Sequence, residues 1–196
     1  MKTAGWRIEA PSGVLGRVLV TIRDVTEERT IEERIRWTAK HDAMTGFPNR
    51  AAFSEKLEQA ISTATRDGTN VALALFDVDH LKETNDTIGQ DAGDLLLQTV
   101  ADRLRLAFGD RCTLAGLGGD EFAGIFEAPD DLDMSAQIQA ALESLREPFT
   151  YLGRILGCRS TAGGSIFPLH GTDAADCSRR PILRYMRQRH EIGPGC

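Results

Sequence analysis

The sequence predicts an α/β protein in which helices pack on a central, mostly antiparallel sheet. Three observations predict it. Val71 to Asp79 is β-rich and almost wholly apolar as far as Asp77, the pattern of a strand buried on both faces. Thr113 to Leu117 and Phe122 to Phe126 read as short strands joined through Gly118-Gly119-Asp120-Glu121, a turn of hairpin composition. Around these strands apolar residues recur at steps of three and four, the period of a helix. The predicted order is strand, helix, helix, strand, helix, strand, strand, helix, strand.

Taken in order, residues 14 to 25 are rich in Val and Ile with partial alternation, which makes a strand. A lone strand with Val18, Val20 and Ile22 on an open edge is adhesive, so its partner is expected in upstream sequence or in a second chain. Thr26 caps the charged helix that follows to Ala39, and Glu27 and Glu28 suit the positive end of its dipole. Ile31, Ile35 and Thr38/Ala39 form one narrow stripe, which fits a short two-stranded coiled coil or a solvated connector. After the turn at Thr45 to Asn49, Phe53, Leu57, Ile61 and Ala64 mark a helix that Gly68 stops. Leu97, Val100, Leu104 and Phe108 mark the next, ending at Gly109, and Met134, Ile138, Leu142 and Leu145 a third, halted by Pro148.

Composition narrows the function. The chain has 196 residues, 41% apolar and 27% charged, enough for one domain of ordinary size and some 40 residues of attachment by the usual domain-size scaling. The longest apolar run, Val71 to Phe76, is far short of the roughly 20 residues of a bilayer span, and the first residues lack the apolar core of a secretory signal. A cytoplasmic protein is expected. Four cysteines, Cys112, Cys158, Cys177 and Cys196, show no zinc-type spacing and suit a reducing compartment. Net charge of −6 disfavours nucleic acid as a partner. A nucleotide remains compatible when a metal supplies positive charge.

Asp77 and Asp79 stand where the apolar strand ends, and burying a carboxylate unpaired costs several kcal/mol. If the strand of Asp77 neighbours the hairpin, Asp77 and Asp120 converge on one point. Oxygen ligands of this kind suit Mg²⁺ or Mn²⁺ held jointly with substrate phosphates. Gly118 and Gly119 let a bulky phosphate approach the backbone, because no Cβ intervenes. Each piece alone also fits a plain reading: a solvated Asp-x-Asp turn and an ordinary hairpin tip.

Together they resemble the GGDEF family, the diguanylate cyclases. His41-Asp42-Ala43-Met44-Thr45-Gly46-Phe47-Pro48-Asn49-Arg50 is similar to that family's opening motif. Phe76-Asp77-Val78-Asp79-His80-Leu81-Lys82, then Asn85-Asp86, Gly89 and Gly93-Asp94, is similar to its central segment, and Gly118-Gly119-Asp120-Glu121-Phe122 matches the signature itself. The resemblance covers about residues 40 to 176 and implies a fold like that of the nucleotidyl cyclases and polymerase palms. Residues 14 to 36 further resemble the last strand of a PAS sensor and a signalling helix. The implied layout is residues 1–26 as the remnant of a sensor, 27–40 as a linker helix, 41–176 as the GGDEF domain and 177–196 as an atypical tail.

The resemblance implies condensation of two GTP into cyclic di-GMP with release of pyrophosphate, in a homodimer whose half-sites face each other, under control of an upstream sensor domain. It implies Asp77, Asp120 and the Val78 carbonyl as ligands of Mg²⁺ or Mn²⁺, and Glu121 as an aid to metal binding or to deprotonation of the attacking hydroxyl. It implies Asn85 and Asp94 as guanine readers, and Lys82 with the amides of His80 and Leu81 as phosphate contacts. Asp42 and Arg50 are expected to pair across their turn without a chemical role.

The sequence departs from the family in three respects. Gly116 stands where an Arg is usual, two residues before the signature. Gly109 and Cys112 replace the Arg and Asp of the product-inhibition site, so feedback is expected to be absent. After Asp176 the family continues as a helix whose Lys and Arg grip the triphosphate, whereas this chain gives Cys177 to Arg189 without that pattern. Written in allowed codons and read one base earlier, the tail becomes Leu-Leu-Pro-Ala-Ala-Asp-Leu-Ala-Leu-Tyr-Ala-Ala-Lys, the expected helix, so a frameshift near Asp176 is inferred. Two functions follow: an impaired cyclase, or an inactive domain serving as a GTP-binding or dimerisation module.

Overall fold

The computed structural model describes residues 2–9, 15–22, 26–127, 131–179 and 183–185. It divides into two units, Met1–Ala39 and Lys40–Cys196. In the first, β1 (Lys2–Glu9) pairs antiparallel with β2 (Leu15–Ile22), Lys2 opposite Ile22 and Glu9 opposite Leu15. The partner expected from missing sequence or a second chain therefore lies in this chain. Ala4, Trp6 and Ile8 alternate with polar residues, but Gly5 interrupts the run and hides the strand from a propensity reading. Helix α1 (Thr26–Lys40) follows, with Ile31 and Ile35 more than half exposed along its stripe.

In the second unit the side chain of Asn49 accepts from the Ala52 amide and opens α2 (Arg50–Asp67), which ends on Gly68 in the left-handed conformation. Next come β3 (Val71–Val78), α3 (Leu81–Ile88), α4 (Gln90–Phe108), a single 3-10 turn (Gly109–Arg111), β4 (Thr113–Gly118) and β5 (Glu121–Glu127). Helix α5 (Asp131–Leu145), a small hairpin of β6 (Phe149–Tyr151) and β7 (Arg154–Leu156), β8 (Ser160–Phe167), α6 (Ala174–Arg179) and β9 (Leu183–Tyr185) complete the described chain.

The main sheet runs β4-β5-β3-β8-β9, with every adjacent pair antiparallel. Strand β3 lies in the middle, which explains why its residues are apolar on both faces. Ala74, Phe76 and Val78 face a core closed by α4 and α5, where Phe108 packs 5.8 Å from Phe76 and 5.2 Å from Phe126 between ring centroids. Leu73 and Leu75 face the other core, closed by Phe53, Leu57 and Ile61 of α2 and Cys177 of α6. Asp77, two residues beyond Leu75, therefore belongs to the α2 face. Among the described residues no helix is long and apolar enough to cross a membrane.

Cys112 is buried against Gly124, and burial pushes its thiol up to about 12 from an ordinary 9.0. In the folded protein it should stay unmodified by a thiol reagent at pH 8 and react only on unfolding. The proton it holds stabilises the fold fully below pH 9, and that contribution is lost as the pH rises toward 12. Mass spectrometry of the labelled native chain checks the first statement.

Candidate active site

Sheet register assembles the acids. Asp77 is paired across to Glu121 on β5 and to Thr161 on β8, so these three side chains form one row on the α2 face at the end of the sheet. The Val78 amide donates to the Asp120 carbonyl at 3.0 Å, which ties the glycine turn to the end of β3. That turn has φ of +101° at Gly118 and +65° at Gly119, values that a side chain would strain. The ladder slips between Gly116 and Gly118, a bulge next to the tip. Asp120 thus sits in the turn beside the end of β3 and is near enough to act on the Asp77 carboxyl.

The electrostatics follow. Burial raises the carboxyl of Asp77 above its ordinary value, and the charges of Asp120, Asp79 and Glu121 raise it further. No hydrogen-bond donor among the described residues reaches the Asp77 side chain. The Asp77 carboxylate, which no described cation pairs, is of the oxygen type that a hard divalent ion takes. Among the described residues no group of three or more His, Cys, Asp or Glu is placed to hold a metal ion. Mg²⁺ commonly binds through one or two carboxylates and takes the rest of its shell from water and phosphate.

Arg50 corrects one expectation. Instead of pairing with Asp42, it places Nη2 2.7 Å from Oε2 of Glu121 and donates from Nε to the Leu117 carbonyl at 3.1 Å. Asp42 accepts instead from the Thr45 amide at 2.9 Å and from its hydroxyl at 2.7 Å, closing its own turn. The competing partner lies 71 residues away, beyond the reach of any local pattern. Both Arg50 and Glu121 are exposed, so the pair adds about 0–1 kcal/mol to stability and acts chiefly on position. A Cβ at Gly116 would stand 3.2 Å from Thr45 Oγ1 and 3.3 Å from Asp42, so that position looks onto the Asp42 turn.

The remaining candidates lie along α3 and α4. Asn85 covers Gly93 so closely that a Cβ there would collide with its Oδ1, and this oxygen is buried without a hydrogen-bond partner. Asp94, the next residue on α4, is half-buried. The two guanine candidates are therefore neighbours, and one carries an acceptor that lacks a donor. His80 holds φ of +63° before α3 and lies 2.9 Å from Glu83, while Lys82 is exposed. On this side a cavity of about 160 Å³ lies between the glycine turn, Met44 and Leu97. Sequence reading missed Met44 and Leu97 as lining residues, because an apolar wall shares its signal with core packing.

The tail is only partly new structure. Helix α6 begins before Asp176, with the Asp176 amide bonded to the Asp173 side chain at 2.8 Å, and buries Cys177, whose carbonyl accepts from Ser165 at 2.8 Å. After Arg179 the chain reaches β9, which pairs with Ala162 to Gly164 on the edge of β8. Beside the end of α6 a larger cavity of about 540 Å³ opens on the α2 face, with Ser178 on its wall.

The family model described as "Diguanylate cyclase, GGDEF domain" matches residues 39–181. An uncharacterised signalling protein of Caulobacter vibrioides is 37% identical over 161 residues, 81% of this chain and 20% of that protein. Diguanylate cyclase DgcP of Pseudomonas aeruginosa is 38% identical over 146 residues, 72% of this chain and 21% of that one. The crystal structure of a sensory box/GGDEF family protein from Caulobacter crescentus superposes with a TM-score of 0.67 at 33% identity, covering 72% of this chain and 92% of that one. The chain spans about a fifth of the length of these curated relatives.

Proposed function

The chain belongs to the GGDEF diguanylate cyclase family, and on that footing we propose that it is one half-site of a cyclase that condenses two GTP into cyclic di-GMP. The observation that carries the proposal is the convergence of Asp77, Glu121 and the turn holding Asp120 at one end of the sheet, with glycines at its tip. Asp77, Asp120 and the Val78 carbonyl would hold Mg²⁺ or Mn²⁺, which supplies charge stabilisation to the phosphates and acidifies the attacking hydroxyl.

The chain's own groups do the rest. Asn85 and Asp94 accept from the N1–H and N2–H₂ edge of guanine, a donor pair that adenine lacks. Lys82 and the amides of His80 and Leu81 meet the phosphates, and Gly118 and Gly119 admit them to the backbone. In each of two steps the 3′-oxygen of one nucleotide bonds to the α-phosphorus of the other while the bond to the β-phosphate oxygen breaks, releasing pyrophosphate. Glu121, paired with Arg50, would aid metal binding or take the hydroxyl proton. Both nucleotides must be held face to face, so a homodimer is required. The β1–β2 hairpin and α1 are read as the end of a sensor domain and its linker helix.

Guanine selection supplies a direct test. Asp94→Ala should weaken GTP binding about tenfold to a hundredfold, the effect of leaving two base donors unpaired, and leave ATP binding unchanged. Equal losses for both nucleotides would make Asp94 a structural cap. Feedback should be absent, because Gly109 and Cys112 offer neither guanidinium nor carboxylate to a product dimer. Added cyclic di-GMP should leave the initial rate unchanged in a titration, whereas strong non-competitive inhibition would locate another basic site.

A second reading, a GTP-binding module without turnover, is favoured by Gly116 and by the short α6, which together withdraw cations from the phosphates. It predicts guanine-selective binding with no product.

A further inference from the structure

We propose that the 540 Å³ cavity on the α2 face binds a small amphipathic amine, an apolar body with one cationic head, and that this ligand and a divalent cation exclude one another at Asp77. The second clause rests on the reading of Asp77 as a metal ligand; the first stands without it.

Shape comes first. The cavity lies within the range of roughly 300–1,000 Å³ common among small-molecule sites. Its floor is the register pair Leu75 and Gly163, and Phe53 of α2 and Leu117 of β4 stand at its sides. Among the described residues, Ser178 near the end of α6 stands on its wall, and the next described segment, β9, lies on the edge of β8. Neither Asn85 nor Asp94 is among its described lining residues, although Phe76 and Phe122, which pack toward α4, reach its rim.

The polar groups specify the head. Asp77 opens onto the cavity from the same row as Glu121 and Thr161. Arg50 also lines it, but its guanidinium is engaged by Glu121 and by the Leu117 carbonyl. The Ser54 hydroxyl donates its proton to the Arg50 carbonyl at 3.0 Å, and the Ser178 hydroxyl to the Ala174 carbonyl at 2.8 Å. With their protons so used, both hydroxyls keep only acceptor capacity, and the Asp77 carboxylate on the same lining has no described donor. An ammonium, with three donors and no acceptor, complements this set, while a carboxylate or phosphate head is repelled by Asp77, whose Glu121 neighbour on the lining is already paired with Arg50. The head and a divalent ion both draw on the single charge of Asp77, so their positive charges oppose each other there and the two compete.

The experiment is titration calorimetry of the full chain with tryptamine, with indole-3-acetate as the anionic counterpart of matching body. Tryptamine should bind saturably, and indole-3-acetate at least about tenfold more weakly. Asp77→Asn should weaken tryptamine at least about tenfold. Ser54→Trp, which fills the mouth from an exposed position on α2, should abolish binding while leaving the unfolding transition intact. No tryptamine binding, equal binding of the two probes, or indifference to Ser54→Trp would overturn the site. For the second clause, Mn²⁺ binding followed by water proton relaxation should weaken in step with tryptamine occupancy. Tryptamine binding with unchanged Mn²⁺ affinity would overturn the exclusion. Mn²⁺ binding that survives Asp77→Asn would remove the metal reading of Asp77 and leave the amine site standing.

Discussion

Asp120→Asn should lower cyclic di-GMP synthesis at least about a hundredfold while leaving the fold intact, the scale expected when a phosphoryl-transfer site loses a charged metal ligand. The side chain stands at the tip of a hairpin, half-exposed, and its backbone carbonyl, which receives the Val78 amide, is unchanged by the substitution. Asparagine keeps the size of the residue and removes the charge. The variant should therefore unfold at the wild-type temperature and lose product formation. Because Asp120 also raises the carboxyl of Asp77, its neutralisation should bring Asp77 closer to its ordinary value. Activity at the wild-type level in a well-folded Asp120→Asn chain would remove Asp120 from the site.

Restoring the alternative reading frame after Asp176 should have the second large effect. The present chain ends α6 at Arg179 and leaves Leu75, Leu117 and Gly163 lining an open cavity. Helix α6 already runs from Ala174, over the second core, toward Ser178 at the cavity wall, so a longer helix continues across this floor. Leucine and tyrosine side chains laid there would stabilise the fold by about 2–4 kcal/mol after the entropy of ordering them. The lysine at its end would return a cation to the acidic row. Soluble yield and turnover should both rise in the restored chain, turnover by about tenfold or more, and tryptamine binding should disappear as the cavity fills. Sequencing the coding DNA tests the premise: codons incompatible with the restored helix would end it. Equal turnover by the two versions would show that the tail has no part in catalysis.

Where sequence reading succeeded, one strong local signal sufficed. The apolar run of β3 marked the centre of the sheet, the four-residue steps of Phe53, Leu57, Ile61 and Ala64 marked α2, and the paired glycines marked the β4–β5 turn, whose conformation only glycine adopts readily. Elements without a buried stripe escaped it. Helix α3 has no fully buried residue, β6, β7 and β9 are three residues each, and Gly5 broke the alternation of β1. The acids were legible because each stands at the end of an apolar run. Arg50 was not, because its partner is chosen by sheet register and not by spacing along the chain. The cavity was illegible for a similar reason: it is defined by where α6 stops relative to β8, and composition carries no trace of that.

The most direct test of the central claim is turnover of GTP by the purified chain with Mg²⁺, resolving nucleotide products by chromatography. Cyclic di-GMP and pyrophosphate should form at a rate that rises more than proportionally with chain concentration, because two half-sites must meet. GTP bound selectively over ATP and recovered intact at every chain concentration would contradict the cyclase and leave a nucleotide-binding domain in its place.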